Sequence, residues 1–102
     1  MKNSVAYMKE KLTELVEKFP QLRVRYAFDE MELSHMVEVL PASEFEDNEA
    51  YGKYEIALTL DFIKKYPDEE LFFVTEGDLV ELTDPVFVKK GKAFDGVRVA
   101  DI

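Results

Sequence analysis

Two prolines punctuate this chain more firmly than anything else in it. Pro20 follows Leu15-Val16-Glu17-Lys18-Phe19, and Pro67 follows Phe62-Ile63-Lys64-Lys65-Tyr66, an offset of 47 residues. Proline disfavours helical backbone at the residue before it, so each aromatic-Pro step reads as a helix stop. Each is followed within a few residues by runs of strand character. The order helix, strand, strand therefore occurs twice, which is either two αββ units or the chance recurrence of a common stop signal.

The first helix is predicted over residues 4–19. Val5, Met8, Leu12, Leu15, Val16 and Phe19 recur at three- and four-residue steps and share one face, with Ser4 or Asn3 available as cap. After Pro20 the period changes to two. Leu22, Val24, Tyr26 and Phe28 alternate with Arg23, Arg25 and Ala27, as do Leu33, His35, Val37 and Val39 with their neighbours. With Asp29 to Glu32 as the loop, Phe28 pairs with Leu33, Val24 faces Val37, Tyr26 faces His35 and Arg23 comes opposite Glu38.

The next segment carries two signals. Ser43 and Glu46 have capping-box spacing. Tyr51, Tyr54, Leu58, Phe62 and Tyr66 form a helical stripe, yet Tyr54, Ile56, Leu58, Leu60 and Phe62 also alternate strictly. Length and the stop at Pro67 decide for a helix from about Asp47 to Tyr66. That helix has a second apolar face, Ile56, Leu60 and Ile63, which one sheet cannot also cover. Leu71 to Thr75 reads as a strand, Glu76-Gly77-Asp78 as a turn, Leu79 to Leu82 as its returning partner, and Val86 to Val88 as a weak further strand. The expected fold is α+β: a small single domain over residues 1–89 with an antiparallel sheet of four to five strands and two helices on one face. Residues 90–102, with an Asp95-Gly96 turn signal and Val97 and Val99 beyond, read as a weak hairpin or loose C-terminal tail.

Charge narrows the function classes. The formal net charge is −9, and residues 29–84 hold seventeen acids against three bases. That argues against a direct nucleic-acid binder, which needs clustered Lys and Arg. Lys89, Lys90, Lys92 and Arg98 form a small basic cluster suited to pairing with the acidic middle, in the same chain or a second copy. The chain has no Cys, so disulfides, thiolate nucleophiles and Cys-ligated zinc are excluded. Charges at Lys9, Glu10 and Lys11 interrupt any leader-like run, and no stretch is apolar enough to span a bilayer, so a cytoplasmic protein is expected.

The four scattered glycines build no phosphate loop, and no nucleophile elbow or zinc-helix motif occurs. His35 is the only histidine. As a general base its expected neighbour is Tyr26, with Glu38 or Glu44 nearby; the alternative is a packed, hydrogen-bonded core imidazole. The acids Glu44, Glu46, Asp47 and Glu49 lack cation-loop spacing and suit the positive end of a helix dipole instead. No metal and no cofactor is expected.

The leading expectation is a non-catalytic module that holds a basic protein partner. Its anchors would be Tyr51, Tyr54, Leu58 and Phe62, and its acidic rim Glu46, Asp47 and Glu49. The alternatives are self-association, through the second helix face or an edge strand, and a small enzyme centred on His35.

Overall fold

The computed structural model describes residues 3–78 and 82–94. Helix α1 (Asn3–Lys18) leads into strand β1 (Arg23–Asp29) and strand β2 (Ser34–Leu40). A short helix α2 (Ala42–Asp47) and the long helix α3 (Glu49–Lys65) follow, then strands β3 (Glu70–Val74) and β4 (Phe87–Lys90). The domain is α+β, with a four-stranded sheet in the order β3-β2-β1-β4. The β1–β2 and β1–β4 pairs are antiparallel, whereas β2 and β3 run parallel, so the sheet is mixed rather than antiparallel throughout. The chain does order helix, strand, strand twice. The second pair of strands forms no hairpin of its own but flanks the first on both sides.

The core lies between the sheet and the helices. α1 buries Val5, Met8, Leu12, Leu15 and Val16, the face that its spacing assigns. From α3, Tyr51, Leu58 and Phe62 are buried in the same cluster with Val24, Tyr26, Val37 and Val39. Aromatic edges join the two helices: Phe19 meets Tyr51 and Tyr54 at 6.1 and 5.8 Å, and Tyr7 meets Phe62 at 6.3 Å. The helical reading of the ambiguous segment thus holds, because the aromatic stripe fills the space above the sheet.

Several details differ from expectation, each for a local reason. The hairpin pairs Phe28 with His35, Tyr26 with Val37 and Val24 with Val39, two residues away from the expected register. Leu33 leaves the strand because its backbone is left-handed, with φ at 53°. The Asp29 carboxylate accepts from the Met31 and Glu32 N–H groups, which closes a loop of four residues, 30–33. The shift by two keeps every side chain on its expected face. It moves the ion pair: Arg25, now opposite Glu38, binds it with two nitrogens, at 2.7 and 3.0 Å, and Arg23 reaches it at 3.2 Å.

The expected helix 47–66 is preceded by a separate turn of helix, α2, and breaks at Asn48. Ser43 is not the cap, since α2 begins at Ala42 after Pro41. Asn48 caps α3 instead, its side-chain oxygen accepting from the Tyr51 N–H at 3.0 Å while its amide donates to Glu44. The strand expected at Leu71–Thr75 is present one residue earlier, as β3 against β2; of its expected partner 79–82, residues 79–81 lie outside the described residues. The weak strand expected at Val86–Val88 is present one residue on, as β4 against β1. Of the expected tail, Lys90 belongs to β4, Gly91 and Ala93 donate to the carbonyls of Leu22 and Pro20, and 95–102 lie outside the described residues.

Candidate interaction surface

His35 sits on the core face of β2 and is fully buried. The Tyr26 hydroxyl lies 2.6 Å from its Nδ1, and Glu69 Oε1 lies 2.6 Å from its Nε2. Burial, with the Glu69 carboxylate adding to it, pushes the Tyr26 phenol well above its ordinary range. The phenol therefore keeps its proton, and one tautomer of the neutral imidazole satisfies both contacts: Nε2–H donates to the Glu69 carboxylate while Nδ1 accepts from the Tyr26 hydroxyl. Phe28 and Phe62 pack against the ring at 4.5 and 4.9 Å. The spacing of β1 and β2 makes Tyr26 a neighbour of His35, as expected. The acid is Glu69, from the loop before β3, and not Glu38 or Glu44: Glu38 is engaged by the two arginines on the opposite sheet face, and Glu44 binds Gln21 and Asn48. Glu69 is 34 residues from His35 in sequence, and no local spacing announces the contact.

Both ring nitrogens of this buried imidazole meet protein groups, so neither is presented to a reactant. The arrangement ties β1, β2 and the α3–β3 loop together under the core. Among the described residues no group of three or more His, Asp and Glu is placed to hold a metal ion. Among the described residues no helix is long and apolar enough to cross a membrane.

The expected binding anchors divide. Tyr51, Leu58 and Phe62 belong to the core, and Tyr54 is half-buried against Phe19, so the stripe offers no free aromatic surface. Glu46, Asp47 and Glu49 are exposed at the α2–α3 junction. What does face outward is the other side of α3. Ile56 is 62% exposed, Leu60 55% and Ile63 51%. At 3.6 residues per turn, Leu60 points about 200° away from the buried Leu58, so one helix face fills the core and the other cannot.

This aliphatic strip adjoins a sheet edge. β3 has β2 on one side and, among the described residues, nothing on the other. Phe72, in the middle of β3, is 47% exposed. A shallow groove of about 240 Å³ runs between helix and strand, lined by Thr59, Ile63, Glu69, Glu70, Leu71 and Phe72. The Glu70 N–H donates to the Leu33 carbonyl of the hairpin loop. By the alternation of a ladder, the peptide groups of Leu71 and Phe73 then turn to the open edge. Between residues 42 and 78 there are eleven acids and three bases, so the surroundings are acidic. Compared with protein-family models, with curated proteins and with solved structures, the chain finds no match in any of the three.

Proposed function

We propose that this chain is a non-catalytic interaction protein that self-associates through the outer face of α3 and the edge of β3. The observation that carries the reading is the line of Ile56, Leu60 and Ile63, each more than half exposed, near Phe72 on a strand edge that has no partner among the described residues. Soluble monomers do not usually gather this many large apolar side chains beside an unguarded edge.

A twofold axis through Phe72 makes the surface self-complementary. With β3 antiparallel to its copy, Phe72 faces its own counterpart, Leu71 faces Phe73 of the second copy and Glu70 faces Val74. The outward peptide groups of Leu71 and Phe73 are then the ones that exchange hydrogen bonds. The two Glu70 side chains fall roughly 13 Å apart along the strands, beyond the ~8 Å screening length at physiological salt, so the acids do not forbid the pairing. The α3 strips come together on the helical face. Covering the exposed half of each of the eight large apolar side chains is worth about 1 kcal/mol apiece, roughly 8 in all. The cost of association takes much of that, so dissociation in the micromolar range is expected.

The test uses the absence of native cysteine. At the axis, a non-hydrogen-bonded pair places the two Cα atoms about 4.5 Å apart, within disulfide range. Phe72→Cys should form a disulfide-linked dimer under mild oxidation, whereas Ala6→Cys on exposed α1 should not. Ile56→Glu with Leu60→Glu should keep the wild-type circular dichroism and sediment as a monomer. A wild-type chain that stays monomeric at millimolar concentration refutes the reading.

The surplus of acids over residues 42–78 favours a second reading, in which the same strip holds a basic protein segment. A lysine-rich amphipathic peptide should then associate several-fold more slowly as salt rises; a salt-independent rate sinks it.

A further inference from the structure

At the opposite end of the sheet, β4 is a second open edge with the reverse charge. Its only described neighbour is β1, which pairs Arg23 with Lys90, Val24 with Lys89, Arg25 with Val88 and Tyr26 with Phe87. Lys89 and Lys90 alternate across the strand, so one ammonium stands on each face of the edge, and Lys92 follows in the turn beyond. All three are exposed, and no acid lies within ion-pair distance of them among the described residues. They line a hollow of about 680 Å³, whose apolar wall is Val16, Pro20 and Ala93 and whose one acid is Glu17.

The hollow has a built frame. The Gly91 N–H donates to the Leu22 carbonyl at 2.7 Å, the Ala93 N–H to Pro20 at 2.8 Å and the Phe94 N–H to Gly91 at 3.1 Å. The turn after β4 is thereby fastened to the end of α1. Because Gly91 turns its N–H toward β1, the ladder's alternation turns those of Val88 and Lys90 outward.

We infer that the β4 edge is a docking site for an extended acidic peptide segment of another protein, added to the sheet as a fifth strand. Main-chain hydrogen bonds from Val88 and Lys90 hold it in line, and adjacent acids on it, which fall on opposite faces, meet Lys89 on one face and Lys90 on the other. The lysines also select the occupant. A second β4 brings the same charges and is repelled, which is the ordinary use of lysine on an edge, while an acid-bearing strand turns that repulsion into attraction. The charge of the site is opposite to that of the α3–β3 surface, and the two do not compete.

The probe is a fluorescein-labelled octapeptide with glutamates in adjacent pairs (Glu-Glu-Val-Val repeated twice), so that each strand face carries acids, followed by polarisation with the full chain at low and at physiological salt. Binding is expected, weakening at least tenfold in a chain carrying Lys89→Glu, Lys90→Glu and Lys92→Glu, and amide chemical-shift changes should centre on residues 87–93. Two further peptides separate strand addition from charge alone. N-methylation at every second residue removes the hydrogen-bond donors of one peptide edge, so one methylated set should lose binding at least tenfold and the complementary set should retain it. Equal binding of both methylated sets overturns the inference, since charge alone would then suffice. So does equally tight binding of an octathymidylate of the same length, or shift changes centred away from β4, or no binding of the acidic peptide at low salt.

Discussion

Gly91 offers the sharpest test of how the sheet is fastened to the first helix. A Cβ built there would lie 2.1 Å from the Pro20 carbonyl oxygen, 2.5 Å from its carbon and 2.6 Å from its Cα. All three are backbone atoms, so no side chain can swing aside. Gly91→Ala must push the β4–turn segment away from the α1–β1 corner, and the Gly91 N–H bond to Leu22 lengthens or breaks with it. Overpacking of this kind costs about 1–3 kcal/mol, and the lost hydrogen bond about 1 more. A total of about 2–4 kcal/mol corresponds to a fall in melting temperature of roughly 10–25 °C for a chain of this size. Differential scanning calorimetry reads it directly. Gly52→Ala is the control, because a Cβ on that helical residue meets nothing within 4 Å; alanine's higher helix propensity should make it neutral or slightly stabilising. If Gly91→Ala melts within about 2 °C of the parent chain, an effect worth well under 1 kcal/mol, the close approach of β4 to Pro20 is disproved.

Two pH effects follow from buried groups. Burial holds the phenols of Tyr26 and Tyr51 well above their usual range, with the carboxylates of Glu69 and Glu55 adding to it. Their folded pKa values exceed their unfolded ones, so the stability they supply is complete below pH 10 and declines above it, by up to about 1.4 kcal/mol per pH unit for each. Absorbance at 295 nm should show these two ionising only as the chain unfolds; a single smooth titration of all five tyrosines in the folded state refutes this. The Arg25 bonds, with Arg23 beside them, hold the Glu38 carboxyl below its ordinary range. Its contribution is present above pH 4.5 and is lost as pH falls through the lower folded value. Glu38→Gln should therefore cost about 1–2 kcal/mol near neutrality and progressively less in acid, measured by urea denaturation at both pH values.

The residues that act through periodicity were legible. The α1 face, the two strands of the hairpin and the core side of each are as their spacing requires, because burying one face of an element depends on local repeats of 3.6 or 2. The Tyr26–His35 neighbourhood was legible for the same reason. What escaped depends on single residues or distant ones. The register slipped because Leu33 adopts positive φ, a choice no alternation reveals. The break between α2 and α3 is marked by Asn48, whose amide side chain is a strong cap, but the Ser43–Glu46 spacing is a competing cap signal five residues earlier in the chain. Glu69 reaches His35 only because β3 lies parallel to β2, and parallel pairing leaves no turn signal in the sequence.

The same helix explains why its aromatic stripe is spent on the core and why an aliphatic strip is left facing outward. In α3 the wide rings of Tyr51 and Phe62 are needed to span the gap from helix to sheet, where they meet Phe19, Tyr7 and the His35 ring. A chain using these rings for its core gains nothing from Ile56, Leu60 and Ile63 on the far side; lysine or glutamate there would preserve the helix and improve solubility. Polar residues occupy most of the exposed face of α1, so the chain follows that rule elsewhere. Among the described helices the departure is confined to α3, which stands over an acidic edge of β3 that has no partner among the described residues, while the far edge at β4 carries lysines beside the half-exposed Val86 and Val88. A sheet with one acid-rimmed border and one basic border, each carrying exposed apolar side chains, offers two chemically unlike surfaces. That asymmetry is the physical ground for assigning the first to a second copy and the second to an acidic strand.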